Sequence, residues 1–266
     1  MKIFTGERII PNTEHLGFTF NRHLVVYEFA KQYTVGKSVV DCGCGEGYGS
    51  KIISSAAAKV VGVDVDQKTI ARATQKYQRP NLSFQAADLE KRIPIQSDSV
   101  DVVICLQVIE HLQHPKALLQ EVYRILRKGG QLIISTPNMK TFSPTGVELD
   151  PYHYIEYTQE TFNALLQPIF SAIEYFHVTG NATVLDRLHQ DMEMAKRYVR
   201  YDILRLHKWA PRFLLKFLYT IALNISRRRM HAGNSTGNVG TKDFSIGIGG
   251  SDAMHVLDLL AVCKKA

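Results

Sequence analysis

The stretch that most constrains this chain is Val39 to Ser50, V-V-D-C-G-C-G-E-G-Y-G-S, where an apolar run ends on an aspartate and then on four alternating glycines. Gly43, Gly45, Gly47 and Gly49 carry no Cβ, so the backbone can turn sharply there and come close to a ligand. Ser38 to Val40 reads as the end of a buried strand, and Ser50 to Ala58 reads as a helix. A strand, a glycine-rich turn and a helix make a nucleotide-binding unit. A second apolar run, Val60-Val61-Gly62-Val63, ends on Asp64, which lies 19 residues beyond Gly45. At that distance a βαβ unit sets an acid beside the hydroxyls of a bound ribose.

The turn also restricts the kind of nucleotide. A dinucleotide site in the pattern G-x-G-x-x-G needs a small third position for the pyrophosphate and for helix packing. Counted from Gly43, that position is Tyr48. Asp41 at the strand end would repel phosphates and attract a cationic amino group. Both features speak against a nicotinamide-dependent oxidoreductase (NAD as cofactor), the competing enzyme class. A ribose, no phosphate and an ammonium group describe S-adenosylmethionine. The stretch resembles the class I S-adenosylmethionine-dependent methyltransferases of the small-molecule, type 11/type 12-like branch. Their first motif, D-x-G-x-G-x-G, is matched by Asp41, Gly43, Gly45 and Gly47, with Gly49 extending it.

That resemblance implies an α/β fold: a doubly wound, mainly parallel, seven-stranded Rossmann-like sheet with a helical lid inserted before the last strand. It implies a cofactor site built from Asp41, Gly43, Cys44, Gly45, Gly47, Tyr48, Asp64, Val65, Ala87, Asp88, Leu89, Leu106 and Gln107. Asp88, after the third strand, would accept a hydrogen bond from the adenine amino group. The leader, with the pattern T-G-E-R-I-I-P over Thr5 to Pro11 and H-L-x-x-Y-E-F-A from His23, would place a helix over the cofactor. The same pattern is compatible with Arg22, His23 and Tyr27 only docking that helix. The expected units are residues 1–36 (leader), 37–178 (cofactor-binding core), 179–252 (basic insert) and 253–266 (last strand).

Two histidines are candidates for chemistry. Val102 to Leu106 is a continuous apolar run suited to a buried parallel strand. It is followed by Gln107-Val108-Ile109-Glu110-His111-Leu112, which is similar to the V-I-E-H-L signature of the family. Ligands bind at strand ends in such sheets, so His111 is a candidate general base. Asp150-Pro151-Tyr152-His153-Tyr154-Ile155-Glu156 resembles a segment of methyltransferases of cell-surface sugar pathways, with Asp150 in place of the usual Asn, and makes His153 the second candidate. Each also has a purely structural reading, as a histidine that pins its loop.

Composition sets the remaining bounds. A 45% hydrophobic and 21% charged content suits a globular chain. Four cysteines are too few for a disulfide framework, and Met1 to Thr19 lacks the continuous apolar stretch of a secretory signal, so a cytoplasmic location is expected. The net charge of +7 is concentrated between Arg187 and Met230, where 11 Lys and Arg face 3 acids. A basic amphipathic stretch over 198–230 suits a pocket cover, a peripheral membrane contact or an anionic, lipid-linked substrate. Nucleic acid is disfavoured because no recognisable RNA module is present. No metal is expected, since neither Cys42-x-Cys44 nor the scattered histidines show ligand spacing. The function expected is methyl transfer from S-adenosylmethionine to a small-molecule acceptor, O-methylation of a sugar or glycan precursor, with a quinone or lipid-linked acceptor as the alternative.

Overall fold

The computed structural model describes residues 17–146, 150–201, 214–215, 239–251 and 253–266. The leader before residue 17, and most of the basic insert, including the expected 202–213 and 216–238 portions, lie outside the described residues. The strands are β1 Ser38–Cys42, β2 Lys59–Asp64, β3 Leu82–Ala86, β4 Val100–Leu106, β5 Leu126–Pro137, β6 Ala172–Gly180, β7 Phe244–Ile248 and β8 Asp258–Lys264. The α-helices are α1 Gly17–Lys31, α2 Tyr48–Ile53, α3 Gln67–Lys76, α4 Pro115–Ile125, α5 Met139–Phe142, α6 Gln159–Leu166 and α7 Ala182–Tyr201.

All eight strands form one sheet in the order β3-β2-β1-β4-β5-β8-β6-β7. The pairings from β3 to β5 are parallel, and those of β8 with β5 and β6, and of β7 with β6, are antiparallel. Apolar strands are possible here because both faces are covered. Val40, Cys42, Val103 and Cys105 point into one core with Leu118, Val122, Phe162 and Leu166 of α4 and α6. Val39, Val102 and Ile104 point into the other, with Val26 and Ala30 of α1, Ile53 of α2, and Val184 and Leu188 of α7. The alternation of neighbours between two cores is the period-2 geometry of a strand. It explains why the runs lack polar positions.

The sheet therefore has the expected class, with one correction to its strand count. It has eight strands rather than seven, because Phe244–Ile248 pairs antiparallel to β6 from Phe176↔Ile248 to Gly180↔Phe244. Those residues fall within the expected insert, 179–252. Phe244 is buried and Ile246 packs on the second core, so the alternation F-S-I there is a strand signal. No helix among the described residues is long and apolar enough to cross a membrane.

Chain direction fixes where a ligand can sit. From β1 the chain winds outward to β2 and β3, then crosses back to β4 and β5 on the other side. The carboxyl ends of β1 and β4 flank that reversal, and open α/β sheets bind their ligands there.

Candidate active site

A cavity of about 440 Å³ opens at that reversal point. Its floor is the glycine turn after β1. Gly43, Gly45 and Gly47 all have positive φ, +75°, +50° and +78°, a region that only glycine enters without strain. Two of them are also confined. A Cβ on Gly43 would stand 2.3 Å from Val108 Cγ2, and one on Gly47 would stand 2.8 Å from the Phe84 ring. The turn is pinned by Asp64 at the end of β2: Gly45 N–H donates to Asp64 Oδ2 at 3.1 Å, and Asp66 N–H donates to Oδ1 at 3.0 Å. Asp64 is buried yet faces the cavity.

Of the residues expected to bind the cofactor, Gly43, Cys44, Gly45, Tyr48, Asp64, Val65, Asp88, Leu89, Leu106 and Gln107 line this cavity; Asp41, Gly47 and Ala87 do not. Asp41 lies under the turn, fully buried, and accepts hydrogen bonds from Ser50 Oγ at 2.6 Å and from Tyr27 OH at 3.2 Å. Burial pushes its carboxyl up to about 7, against the pull of Ser50 and Tyr27. The carboxylate therefore ties the turn to α2 and α1. Gln107, directly after β4, has φ +57°, one of two non-glycine residues with positive φ among those described. Its backbone N–H donates to Ser135 O at 3.0 Å, which holds it to the neighbouring strand.

Helix α1 forms one wall, through Thr19, Arg22, His23 and Tyr27. The same side chains both dock the helix and face the cavity. His23 Nδ1 lies 3.2 Å from Tyr48 OH, and Tyr48 packs edge-on against Phe20 and Tyr27. Burial, aided by Arg22, drives His23 down to about 3, so it is neutral at physiological pH. Tyr48, too large for a pyrophosphate turn, is thus an aromatic support beneath α1. Arg22 Nε stands 3.3 Å from Asp258 Oδ2 at the start of β8, a pair that joins the first described helix to the last strand.

The cavity is also lined by Glu110, His111, Phe142, Asp150 and His153. Ile109–His111 forms a single 3-10 turn after β4. The segment after Asp150 is stitched onto it, since Tyr154 N–H donates to Glu110 O at 2.7 Å and Ile155 N–H donates to the same oxygen at 3.3 Å. Asp150, in the place of an asparagine in the resembling segment, accepts from Tyr152 N–H at 2.9 Å and shapes the turn that presents His153.

The two candidate histidines consequently meet, with ring centroids 4.9 Å apart and the rings edge to face. His111 Nδ1 lies 3.1 Å from Tyr152 O, so that nitrogen carries the proton and Nε2 is left with a lone pair. His153 is buried, which pulls its pKa down, but Glu156, Glu110 and Asp150 outweigh burial and leave it raised. Ligand atoms of Glu110, His111 and His153 all lie within 4.8 Å of one another, a grouping able to hold a cation. Spacing rules applied to the sequence do not find it, because His153 is 42 residues from His111. The missed wall residues Thr19 and Phe142 likewise carry no motif; only the docking of α1 and the fold of the 139–158 connection bring them in.

Comparisons with known proteins agree with this geometry. Residues 40–134 match the family model described as "Methyltransferase domain". A probable S-adenosylmethionine-dependent methyltransferase of Mycolicibacterium smegmatis is 38% identical over 190 residues, 70% of this chain and 72% of that protein. A Mycobacterium tuberculosis protein of the same description is also 38% identical, and there the chain spans 58% of the relative's length. A ubiquinone biosynthesis O-methyltransferase of Idiomarina loihiensis is 34% identical over 105 residues, 39% of this chain and 43% of that protein. In fold, the chain resembles a Thermotoga maritima structure titled as a possible histamine N-methyltransferase, with a TM-score of 0.59, 14% identity, and 94% and 92% of the two chains covered. The sheet order, the glycine turn closed by Asp64 and the match to the M. smegmatis protein together establish that the chain belongs to the S-adenosylmethionine-dependent methyltransferases.

Proposed function

We propose that the chain moves the methyl group of S-adenosylmethionine onto a hydroxyl oxygen of a small molecule, a sugar, glycan precursor or similar metabolite. One observation carries this reading: Glu110, His111 and His153 all line the cavity, and their ligand atoms lie within 4.8 Å of one another. An amine with a free lone pair needs no base, whereas a hydroxyl must shed its proton as the new bond forms. In the donor half, Asp64 would take the ribose hydroxyls, and Asp88 and Leu89 the adenine. The sulfonium is already activated, so the chain's main tasks are orientation and exclusion of water.

The step balances as follows. The acceptor O–H gives its proton to His111 Nε2, and the oxygen electron pair attacks the methyl carbon in line. The C–S bond breaks with its pair returning to sulfur, leaving neutral S-adenosylhomocysteine. A phenolic acceptor of the quinone type is the second reading, favoured by the likeness to the I. loihiensis protein. An anionic or lipid-linked acceptor finds support in the charge of the basic stretch 198–230.

The test is a panel of nucleotide sugars, hydroxylated quinones and amines incubated with methyl-labelled S-adenosylmethionine. Transfer to a hydroxyl is expected, with His111→Ala lowering kcat by about 100- to 10,000-fold while cofactor affinity is kept. Transfer to amines alone, undiminished in that variant, would contradict the proposal.

A further inference from the structure

We propose that Glu110, His111 and His153 hold a divalent transition-metal ion at the acceptor end of the cavity. Its catalytic role rests on the hydroxyl reading above; its binding does not. The first support is convergence from two separate segments, the turn after β4 and the connection after α5, with the three ligand atoms within 4.8 Å of one another.

The second support is what lies behind each ligand. Histidines that bind metals offer one nitrogen to the ion and give the other to a carbonyl or carboxylate, which fixes the ring and raises its basicity. His111 Nδ1 is engaged by Tyr152 O at 3.1 Å. His153 Nδ1 stands 3.7 Å from Glu156 Oε1, and that oxygen is itself held by Ser143 Oγ at 2.7 Å. Glu110 Oε2 receives Thr136 Oγ1 at 3.1 Å, which leaves Oε1 for a ligand. Glu110 and His111 are thus each held through one atom and have another to offer, and Glu156 stands behind His153 at ion-pair distance.

The third support is burial. Glu110 and His153 are 1% and 4% exposed, and a carboxylate this deep is stable when a cation or strong donors meet it. Two imidazoles and one carboxylate suit Zn(II), Co(II), Fe(II) or Mn(II), and provide too few oxygens for calcium. Three protein ligands leave positions open towards the cavity, as catalytic rather than structural sites do. In the ion-bound chain the two histidines would serve as ligands, so the proton transfer to His111 Nε2 described above belongs to the ion-free chain, and the ion would supply Lewis acidity that lowers the pKa of an acceptor hydroxyl beside it.

The test uses Co(II) alone, added to the full chain after treatment with a chelator and followed by visible absorption. One ion per chain with ligand-field bands is expected. His111→Ala and His153→Ala should weaken binding by roughly 100-fold or more, and Glu156→Gln by about 10- to 100-fold. Calorimetry with S-adenosylmethionine on the same samples shows that each variant is folded. Absence of bands in wild-type protein that binds S-adenosylmethionine would overturn the cation site, as would bands unchanged in both histidine variants. Co(II) binding that needs both histidines, in protein that fails to bind S-adenosylmethionine, would support the cation site and count against the methyl-transfer reading instead.

Discussion

Asp64 shows how one side chain can pin a turn and still face a cavity. Its two oxygens hold the amides of Gly45 and Asp66, and its exposed edge faces the cavity. Asp64→Ala should therefore lower S-adenosylmethionine affinity about 10- to 100-fold by calorimetry, the value of charge-assisted hydrogen bonds lost. A change within about twofold would contradict the ribose assignment. Asp41 behaves differently, because burial raises its carboxyl from 3.8 to about 7. The folded chain then keeps a proton that the unfolded chain has released, so this stabilisation is present below about pH 4 and is lost as pH rises through about 7. Asp41→Asn cannot ionise. Its stability relative to wild type should climb across that window by up to about 1.4 kcal/mol per pH unit, measured by urea unfolding at several pH values. The comparison must be relative, since buried Asp258, raised to about 6, adds a similar slope to both proteins. A difference that stays flat from pH 4 to 7 would contradict the buried placement. From sequence, Asp41 reads as an anion at a strand end facing a ligand. Its actual partners, Ser50 and Tyr27, depend on how α1 and α2 pack, which no spacing records.

At the scale of elements, the strands were the easiest to read. β1, β2 and β4 are mostly apolar because helices cover both faces, with Asp41, Asp64 and Asp101 as the carboxylates among them. β7 was harder, since it is short, carries Ser245 and Gly247, and becomes a strand only through β6. The clamp of α1 on the glycine turn includes one very close approach. A Cβ on Gly49 would stand 2.0 Å from the Tyr27 ring. Gly49→Ala should cost about 1–3 kcal/mol of stability through overpacking. It should also weaken cofactor binding, because the displaced helix carries Arg22, His23 and Tyr27 on the cavity wall. Thermal unfolding with and without S-adenosylmethionine separates the two effects. An unchanged melting temperature would show that α1 does not bear on the turn in this way.

For the molecule as a whole, the proposed donor and acceptor halves are legible to different degrees. The donor half is local: the glycine turn, Asp64 and Asp88 follow successive strands, so their spacing survives in the sequence. The acceptor half is assembled from distant pieces. His111 and His153 were each visible as candidates, but their contact depends on Tyr154 and Ile155 bonding to Glu110 O. Arg22 and Asp258, 236 residues apart, form an ion pair that no motif announces. The family resemblance gives the fold and donor chemistry; the acceptor has to be argued from the group that faces it.

The most direct measurement is a crystal structure of the chain with S-adenosylhomocysteine. The account predicts ribose hydroxyls on Asp64, adenine beside Asp88 and Leu89, and the sulfur turned towards Glu110, His111 and His153. A ligand lying in the cavity with its sulfur turned away from those three residues would contradict it.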